Sequence, residues 1–453
     1  MFVCGCILFL FNLLGFFCLW RMDSKGTLVI TPFLLFSTLE IVALWPPTIY
    51  AYYSGIAHDA YPMVIAGLGF MCFLVGFCLL RWISPIAGSS PARYLIMPVQ
   101  LSMPSRHYLW GIVVTSTLLL IMALYLYQGI PPYAKYLLGF SPGETSEYVR
   151  ESRIIFTKSH YFGGSYRGQG LIRLFMMVGW PFLSVISMII YSRTKRKGWL
   201  INGIILITLS VLFISGDGTR ARLLYAMIFF FIVISMNWRL RIRHLFIGLC
   251  VLTGMLLFMS FTTGKMVYGE NGINPGSVAN ALFYEENSPL QRISFKKSNG
   301  INSVHVIELV ESGDLDYRYG AVHLQKMILA LPGTYGGLPF SRELSEMLKK
   351  KSSTSFTSTT YLATLYVDFG LTGVMVGYLL MGLLIGFSER IFYRSVKTLL
   401  RFCLVSFAGF YLGLMSLNGF TGFASSYVVV LVVCAVFLMG CALRSFVSGL
   451  SRA

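Results

Sequence analysis

A short turn between two apolar stretches carries the residue types that could bind phosphate. The sequence Ser215-Gly-Asp-Gly-Thr-Arg-Ala-Arg222 places Asp217, Arg220 and Arg222 close together. Glycines allow such a turn to be tight, and the planar guanidinium fork of arginine suits phosphate oxygens. Arg173 stands near the start of another apolar stretch, where a charge is costly and therefore a functional candidate. The alternative roles for the arginine pair are contact with lipid headgroups and pairing with Asp217.

A second group of candidates lies within residues 264–370, in which the polar residues are more frequent. Its cations could contact phosphate, and its histidine or aspartate could act as a base, as could Asp217 or Glu40. Asp217 could instead orient an arginine, and the aspartate could instead cap the span that follows it. No histidine has the spacing of a metal ligand, so neither a metal nor another cofactor is predicted. The candidates in this segment are Arg292, Arg318, His323, Arg342 and Asp368.

The composition indicates an integral membrane protein. Of the 453 residues, 56% are hydrophobic and only 12% are charged, whereas a soluble domain has about 25% charged residues. A membrane-spanning helix needs about 20 mostly apolar residues. Eleven candidate runs occupy 2–20, 28–52, 62–82, 108–127, 171–191, 199–215, 221–238, 245–263, 371–387, 403–417 and 427–443. Because several are short, the sequence predicts an all-α protein with about 11 transmembrane helices, within a range of 10–12.

The basic residues predict how these helices are oriented. Alternation outward from the basic connection 193–197 assigns six segments to the cytoplasm, namely 21–27, 81–107, 192–198, 238–244, 388–402 and the C-terminal tail. These segments hold 18 of the 36 Lys and Arg residues but only two of the 18 acidic residues. This is the positive-inside pattern, so the N-terminus is predicted to lie outside and the C-terminus inside. The net charge of +18 is thus largely a consequence of topology, and nucleic-acid binding is not indicated.

Two connections on the predicted outer face, 128–170 and 264–370, are longer than simple turns. Segments of this length in compact proteins are usually functional or disordered, and the composition of the second is not that of a disordered segment. We expect the helix-like pieces of the second to lie on the membrane surface as short amphipathic helices. With no internal repeat, residues 1–453 are predicted to form one polytopic domain. The helix-like pieces are 305–310, 322–331 and 341–351.

Three motifs in this chain occur together in one known family. The first is the turn Gly218-Thr-Arg-Ala-Arg222, and the second is Arg173-Leu-Phe-Met-Met-Val-Gly-Trp-Pro181 at the start of a span. The third is Leu331-Pro-Gly…Leu-Pro-Phe340 followed by Thr359-Thr-Tyr-Leu-Ala-Thr-Leu-Tyr-Val-Asp-Phe-Gly-Leu-Thr-Gly373, which ends in a Phe-Gly-x-x-Gly turn. Over residues 170–390 the chain resembles the bacterial oligosaccharide repeat-unit polymerases, the O-antigen polymerase family.

The resemblance implies an activity. Family members join undecaprenyl-diphosphate-linked repeat units in the periplasm, transferring the growing glycan from its lipid diphosphate to the next lipid-linked unit. It implies a GT-C-like fold in the inner membrane with a periplasmic N-terminus, no cofactor, and a partner protein that regulates chain length. Arg173 and Arg220 stand at motif positions, so these two with Arg222 and Asp217 are expected to be catalytic. The residues expected to bind substrate are Arg292, Arg318, His323, Arg342 and Asp368.

Two other functions are consistent with the same features. An O-antigen ligase shares the architecture and the outer-face arginines but transfers the finished glycan to lipid A core, and the motifs favour the polymerase. A lipid-linked oligosaccharide flippase or another transporter would line a central cavity with charges from several spans. The intramembrane charges of this chain are sparse and lie toward one face, which disfavours a transporter.

Overall fold

A computed structural model of the protein describes residues 1–24, 31–83, 99–127, 169–214, 250, 254, 268–269, 272–273, 299–329, 340–348, 359–394 and 397–450. As predicted, these residues are almost entirely helical. The helices are α1 (Phe2–Ser24), α2 (Pro32–Tyr53), α3 (Tyr61–Ile83), α4 (Ser105–Tyr127), α5 (Gln169–Thr194), α6 (Lys197–Ile214), α7 (Asn299–Glu311), α8 (Ala321–Leu329), α9 (Phe340–Met347), α10 (Tyr361–Arg394), α11 (Leu399–Gly413) and α12 (Met415–Leu450). Two-residue strands, β1 (Tyr268–Gly269) and β2 (Gly272–Ile273), pair antiparallel.

Six of the described helices are long and apolar enough to cross a membrane. They contain the stretches Phe2–Leu19, Pro32–Tyr53, Tyr61–Ile83, Ser105–Tyr125, Leu174–Thr194 and Tyr361–Ile391. Three shorter apolar helical stretches are Lys197–Phe213, Leu399–Gly413 and Val428–Arg444. The predicted run 221–238 lies outside the described residues. The same holds for the run 245–263 apart from residues 250 and 254, and for the loop 128–170 apart from residues 169 and 170, which begin α5. The apolar helices indicate a membrane protein, and the total of about 11 spans stays a prediction.

The last turn of the bundle lies earlier than the sequence predicts. The predicted runs 403–417 and 427–443 place the last connection within 418–426. In the structure α11 ends at Gly413 and α12 begins at Met415, so the chain turns at Leu414. The prediction fails because hydropathy reports only contact with lipid. A helix needs only local backbone hydrogen bonds, so α12 continues through a polar stretch that contains Ser, Asn and Thr. The 36 residues of α12 extend about 54 Å, well beyond a hydrocarbon layer of about 30 Å.

The helices pack in two large apolar clusters and a small third one between α2 and α7. The first large cluster is formed mainly by α4, α5, α6, α11 and α12. The second is formed mainly by α1, α2, α3, α7, α8, α9 and α10. The helix α11 contacts both α2 and α10 and so connects the two clusters. The functional candidates with described side chains, discussed below, lie in segments whose apolar residues belong to the second cluster.

Glycines allow α3 and α10 to pack at close range. A Cβ atom at Gly76 would overlap the carbonyl oxygen of Leu379, and one at Gly382 would overlap the carbonyl oxygen of Phe73. Between helices in a membrane the hydrophobic effect adds little, so close van der Waals packing of this kind drives association. The α3–α10 contact therefore holds α10 in place below the site.

The helix α10 consists of two arms that fold back on each other at Gly370, which has φ 65° and ψ −158°. We name residues 361–369 the first arm and residues 371–394 the second arm. Tyr361 and Tyr378 would be about 25 Å apart along a straight helix, yet their ring centroids are 5.6 Å apart. The second arm starts where the sequence predicts a transmembrane run, at residue 371.

The helix α7 lies inside the bundle and not on a surface. A Cβ atom at Gly300 would overlap the carbonyl oxygen of Ala43, which lies ten residues before the end of α2, about 15 Å along that helix. From there α7 runs outward to Glu308, whose Oε2 accepts a hydrogen bond from the backbone N–H of His58 at 3.4 Å. The surface location predicted for this stretch is therefore wrong, because its apolar residues pack against α2 and α10. The helix α9, which buries Phe340 and Leu344 and exposes Met347, does have the predicted amphipathic form.

The first arm of α10 starts beside α7 and runs in the same direction. The backbone N–H of Thr360 donates to Oγ of Ser303 at 3.0 Å, and the two hydroxyls are 2.8 Å apart. At the other end of both helices, the hydroxyl of Tyr366 donates to Glu311. The free N–H groups of a helix start are costly in an apolar region, so Ser303 stabilises the buried start of this arm.

Residues that the sequence assigns to the cytoplasmic side meet at the opposite end of the bundle. Oε1 of Glu389 accepts the backbone N–H of Phe33 at 2.9 Å and caps α2 together with Thr31. Gln100 forms a bridge to Thr398. The two predicted sides of the membrane are therefore separate in the structure, and which compartment each one faces stays a prediction.

Replacement of Gly370 tests the reversal of α10. In Gly370→Ala the φ of 65° is unfavourable, and the new Cβ atom would lie 3.3 Å from the ring of Tyr317. We expect a loss of about 1–3 kcal/mol, measured as a lower Tm of the purified protein in detergent. Gly198→Ala is the control, because a Cβ atom there would meet nothing within 4 Å beyond its chain neighbours and the backbone of its own helix, and alanine favours a helix. Equal losses in the two variants would contradict a required turn at Gly370.

Lys397 predicts a dependence of stability on pH. Its side chain is buried, and this burial lowers the pKa of Lys397 from 10.5 to about 8. The folded state therefore binds this proton less tightly than the unfolded state, so the free energy of unfolding rises as the pH increases from about 8 to about 10. Lys397→Met should flatten the rise in Tm over this range, measured by tryptophan fluorescence. The exposed Lys197 supplies the control Lys197→Met, and identical pH profiles for the two variants would contradict the assignment.

Candidate functional site

The structure describes the side chains of three predicted site residues, Arg318, His323 and Asp368. Arg173 lies in α5 and Arg342 lies in α9. The other four predicted site residues, Asp217, Arg220, Arg222 and Arg292, lie outside the described residues. The site is therefore built from the segment 315–329 and from α10.

Asp368 is fully buried near the end of the first arm and fixes the start of α8. Its Oδ1 accepts the N–H of Val322 at 3.1 Å, and its Oδ2 accepts the N–H of His323 at 3.1 Å. Such N–H groups have no partner within their own helix, and the partial positive charge of the helix N-terminus favours a carboxylate. Asp368 therefore caps α8, and not the span that follows it.

The same carboxylate holds the side chain of His323. Nδ1 of His323 lies 2.5 Å from Oδ2 of Asp368, and the imidazole is 6.4 Å, centroid to centroid, from the rings of both Tyr361 and Phe369. Because a carboxylate accepts the Nδ1 proton, the neutral ring carries its lone pair on Nε2. The side chain is 23% exposed and lines the groove described next.

These residues line a groove of about 840 Å³. Tyr317, Tyr319 and Tyr361 contribute aromatic rings near His323, and α10 forms the wall on both sides of Gly370. The volume is within the range of small-molecule sites, about 300–1,000 Å³. Aromatic rings with polar tips beside a hydrogen-bonding group can pack on the C–H face of a sugar and also bond to its hydroxyls.

The loop before α8 holds one of these tyrosines in an unusual conformation. Tyr319 and Gly320 are consecutive residues with positive φ, 47° and 90°, and Tyr319 is 83% exposed. For an aromatic residue this conformation costs about 1–3 kcal/mol. Backbone bonds on both sides maintain it, from Arg318 N–H to the carbonyl of Val367 and from Ala321 N–H to the carbonyl of Arg318, both at 2.9 Å. The loop thus presents an exposed tyrosine at the mouth of the groove.

Arg318 is engaged next to the groove. Its guanidinium pairs with Glu343 of α9, and the backbone N–H of Phe340 donates to Oε1 of Gln325 at 2.9 Å. These two contacts attach α9 to the loop and to α8. Both charged side chains are about one-third exposed, so their ion pair contributes at most about 1 kcal/mol. A role of Arg318 in substrate binding stays a prediction.

A buried carboxyl group lies below the groove. Glu40 in α2 accepts a hydrogen bond from the hydroxyl of Tyr378, and the ring of Tyr378 packs on that of Tyr361. Within the described part of the chain, Oε2 of Glu40 is buried without a hydrogen-bond partner. Glu40 is therefore connected to His323 through two tyrosine rings and is not itself at the groove.

Sequence reasoning identified His323 and Asp368 separately but not as a pair. They are 45 residues apart in the chain, and nothing in the local pattern relates them. It also missed Tyr317 and Tyr319, although the sequence Tyr317-Arg-Tyr-Gly320 places two aromatic residues beside a turn-forming glycine. Among the described residues, no three His, Cys, Asp or Glu side chains are grouped so as to hold a metal ion.

The arrangement is suited to general acid–base chemistry. A histidine whose Nδ1 is fixed by a carboxylate can accept a proton at Nε2, while the carboxylate stabilises the imidazolium that forms. The neighbouring aromatic rings could orient a sugar so that one hydroxyl reaches Nε2. The groove could therefore activate a hydroxyl nucleophile.

Comparison of the chain with protein families, curated proteins and solved structures gives no match. The resemblance to the O-antigen polymerase family therefore stays a prediction from the motifs.

Loss of Asp368 should release the start of α8. In Asp368→Ala the amides of Val322 and His323 lose their acceptor, and loss of a helix cap costs about 0.5–2 kcal/mol. We expect amide hydrogen exchange in 321–329 to become about tenfold faster, the factor that corresponds to 1.4 kcal/mol, as measured by mass spectrometry. Asp314→Ala, at an exposed aspartate in the loop between α7 and α8, should leave this exchange unchanged. Unaltered exchange in Asp368→Ala would contradict the capping role.

Proposed function

We propose that the protein is a membrane glycosyltransferase that polymerises undecaprenyl-diphosphate-linked repeat units at the periplasmic face of the bacterial inner membrane. The observation that carries this proposal is the His323–Asp368 pair in an aromatic groove at the start of the second arm of α10. The motifs over residues 170–390 support the same activity. The product is O-antigen or a related surface polysaccharide.

In this reaction His323 acts as the general base. The hydroxyl oxygen of the acceptor sugar bonds to the anomeric carbon of the donor while Nε2 of His323 takes the hydroxyl proton. The bond from that carbon to the phosphate oxygen breaks, and the lipid diphosphate leaves with the electron pair. Asp368 keeps the imidazole in the required tautomer and stabilises its charged form. A positioned general base contributes about 10²–10⁴ in rate.

Arginines are proposed to neutralise the leaving diphosphate. Arg173, Arg220 and Arg222 would contact its oxygens, Arg292 would contribute from the large loop, and Asp217 would orient one of them. A unit-charge pair about 4 Å apart at an effective dielectric of about 20 is worth about 4 kcal/mol before desolvation. A preorganised donor on developing negative charge gives about 10²–10³ in rate. No nucleotide or metal is required for this step.

The proposal includes the topology and the partners. The proposed protein has about 11 spans in a GT-C-like arrangement, with a periplasmic N-terminus and a cytoplasmic C-terminus. Six long apolar helices and the separation of the two predicted sides support it. The partners are lipid-linked glycans, the bilayer and a protein that regulates chain length, and Arg318 and Arg342 are assigned to substrate contacts.

Replacement of His323 tests the proposal in a strain that lacks its own copy of the gene. His323→Ala should leave lipopolysaccharide with a single repeat unit, because the acceptor hydroxyl keeps its proton and polymer formation falls by about 10²-fold or more. The readout is the ladder of polymer lengths on a gel, at equal amounts of protein in the membrane. His58→Ala, at an exposed histidine of the same end of the bundle, should retain the full ladder.

The deletion strain separates the alternatives. Bare core with accumulated lipid-linked polymer would identify a ligase, and repeat units retained on the cytoplasmic side would identify a flippase. A full ladder in the strain carrying His323→Ala would rule out His323 as the base.

A further inference from the structure

The groove beside His323 continues along the second arm of α10. Below its polar mouth the lining becomes apolar, with side chains from both arms. From residue 371 to residue 380 the helix advances about 14 Å, so the groove extends well below the level of the imidazole. The apolar lining residues are Leu365, Phe369, Leu371, Val376 and Leu380.

Part of this lining is exposed. Phe369, Val376 and Leu380 are 51%, 49% and 58% exposed, although they belong to a helix apolar enough to cross a membrane. An exposed apolar residue on a spanning helix contacts hydrocarbon and not water. The groove is therefore open to the bilayer along its side and to His323 at its mouth.

Two glycines form the floor of the groove. A Cβ atom at Gly377 would lie 2.5 Å from Cδ1 of Leu365, and one at Gly373 would overlap Cβ of Phe369. The first arm therefore packs directly on the bare backbone of the second arm and forms a wall of the groove. The turn at Gly370 that positions Asp368 therefore also creates the apolar part of the groove.

A ligand that fills both parts must have a sugar or phosphate end and a long apolar chain. The proposed reaction involves two such molecules, and their covalent order distinguishes them. In the donor, the reacting carbon is attached to the diphosphate, which is attached to the isoprenoid chain. In the acceptor, the reacting hydroxyl and the lipid are at opposite ends of an oligosaccharide. Because reacting atoms lie about 3–3.5 Å apart, only the donor brings its chain close to His323.

We infer that the apolar part of the groove binds the isoprenoid chain of the donor lipid, an assignment that rests on the proposed function. The chain moves from one hydrocarbon environment to another, so the hydrophobic effect contributes little affinity. By holding the isoprenoid chain, the groove orients the diphosphate and the anomeric carbon toward His323. It selects this chain over other lipid chains by its shape and packing.

Photo-cross-linking tests this assignment on the full-length protein. The protein is placed in nanodiscs of phosphatidylethanolamine and phosphatidylglycerol with a polyprenyl phosphate that carries a diazirine on its chain. Cross-links should map to the second arm of α10, and excess undecaprenyl phosphate should compete, whereas added phosphatidylglycerol should not. Leu380→Trp fills the groove from the lipid side and should reduce the cross-linking by about fivefold or more. Met375 is exposed on the same arm but does not line the groove. Met375→Trp is therefore the matched control and should leave the cross-linking unchanged.

Cross-links spread over all spanning helices, or equal competition by phosphatidylglycerol, would overturn the assignment. An unchanged yield in Leu380→Trp would also overturn it. Binding is measured without glycan or turnover, so the outcome is independent of activity, and His323→Ala should lose the polymer but retain the cross-links. Deletion of the gene could leave the polymer ladder of the strain unchanged while the purified protein still forms the expected cross-links. In that case the proposed function fails and the isoprenoid ligand of the groove stands.

Discussion

The reversal of α10 at Gly370, with its φ of 65°, is the constraint on which the site depends. It folds the first arm against the second, so that Asp368 lies near the turn while Tyr361 lies next to Tyr378. From this position Asp368 caps α8 and thereby brings His323 to the groove. A straight α10 would separate the two tyrosines by about 25 Å, and the groove, which residues of both arms line, would not form.

The second requirement is that polar groups inside an apolar bundle have partners. The helix α7 and the first arm of α10 both start within the bundle, and Ser303 accepts the N–H of Thr360 where the two starts meet. At the other end of the bundle, Glu389 accepts a hydrogen bond from the backbone N–H of Phe33 at the start of α2. Irregular backbone at membrane depth is tolerated only when protein surrounds it and supplies such bonds. Glu40, whose Oε2 lacks a partner among the described residues, does not follow this pattern and lies directly below the site.

Much of the helical framework could be predicted because apolar runs report contact with lipid. The run 62–82 corresponds to α3, and the run at 371 starts where Gly370 ends the first arm. The surface position predicted for 305–310 is wrong because helix-spaced apolar residues show only that one face of a helix is apolar, whereas in the structure that face packs against α2 and α10. Of the candidate site, the residue types of His323 and Asp368 were identified, but their pairing was not. The arginines of 217–222 lie outside the described residues, so their role stays a prediction.

The sequence by itself determined that this is a helical protein with many apolar segments, where most of those segments begin, and which few polar residues are candidates for chemistry. These properties follow from composition and local patterns, because lipid contact and backbone hydrogen bonding act on short stretches of chain. Only the tertiary structure decided that Asp368 caps α8, that it fixes the tautomer of His323, and that the groove continues along the second arm of α10. Each of these depends on contacts between residues far apart in the chain, and no local pattern encodes the direction in which α10 turns back after Gly370.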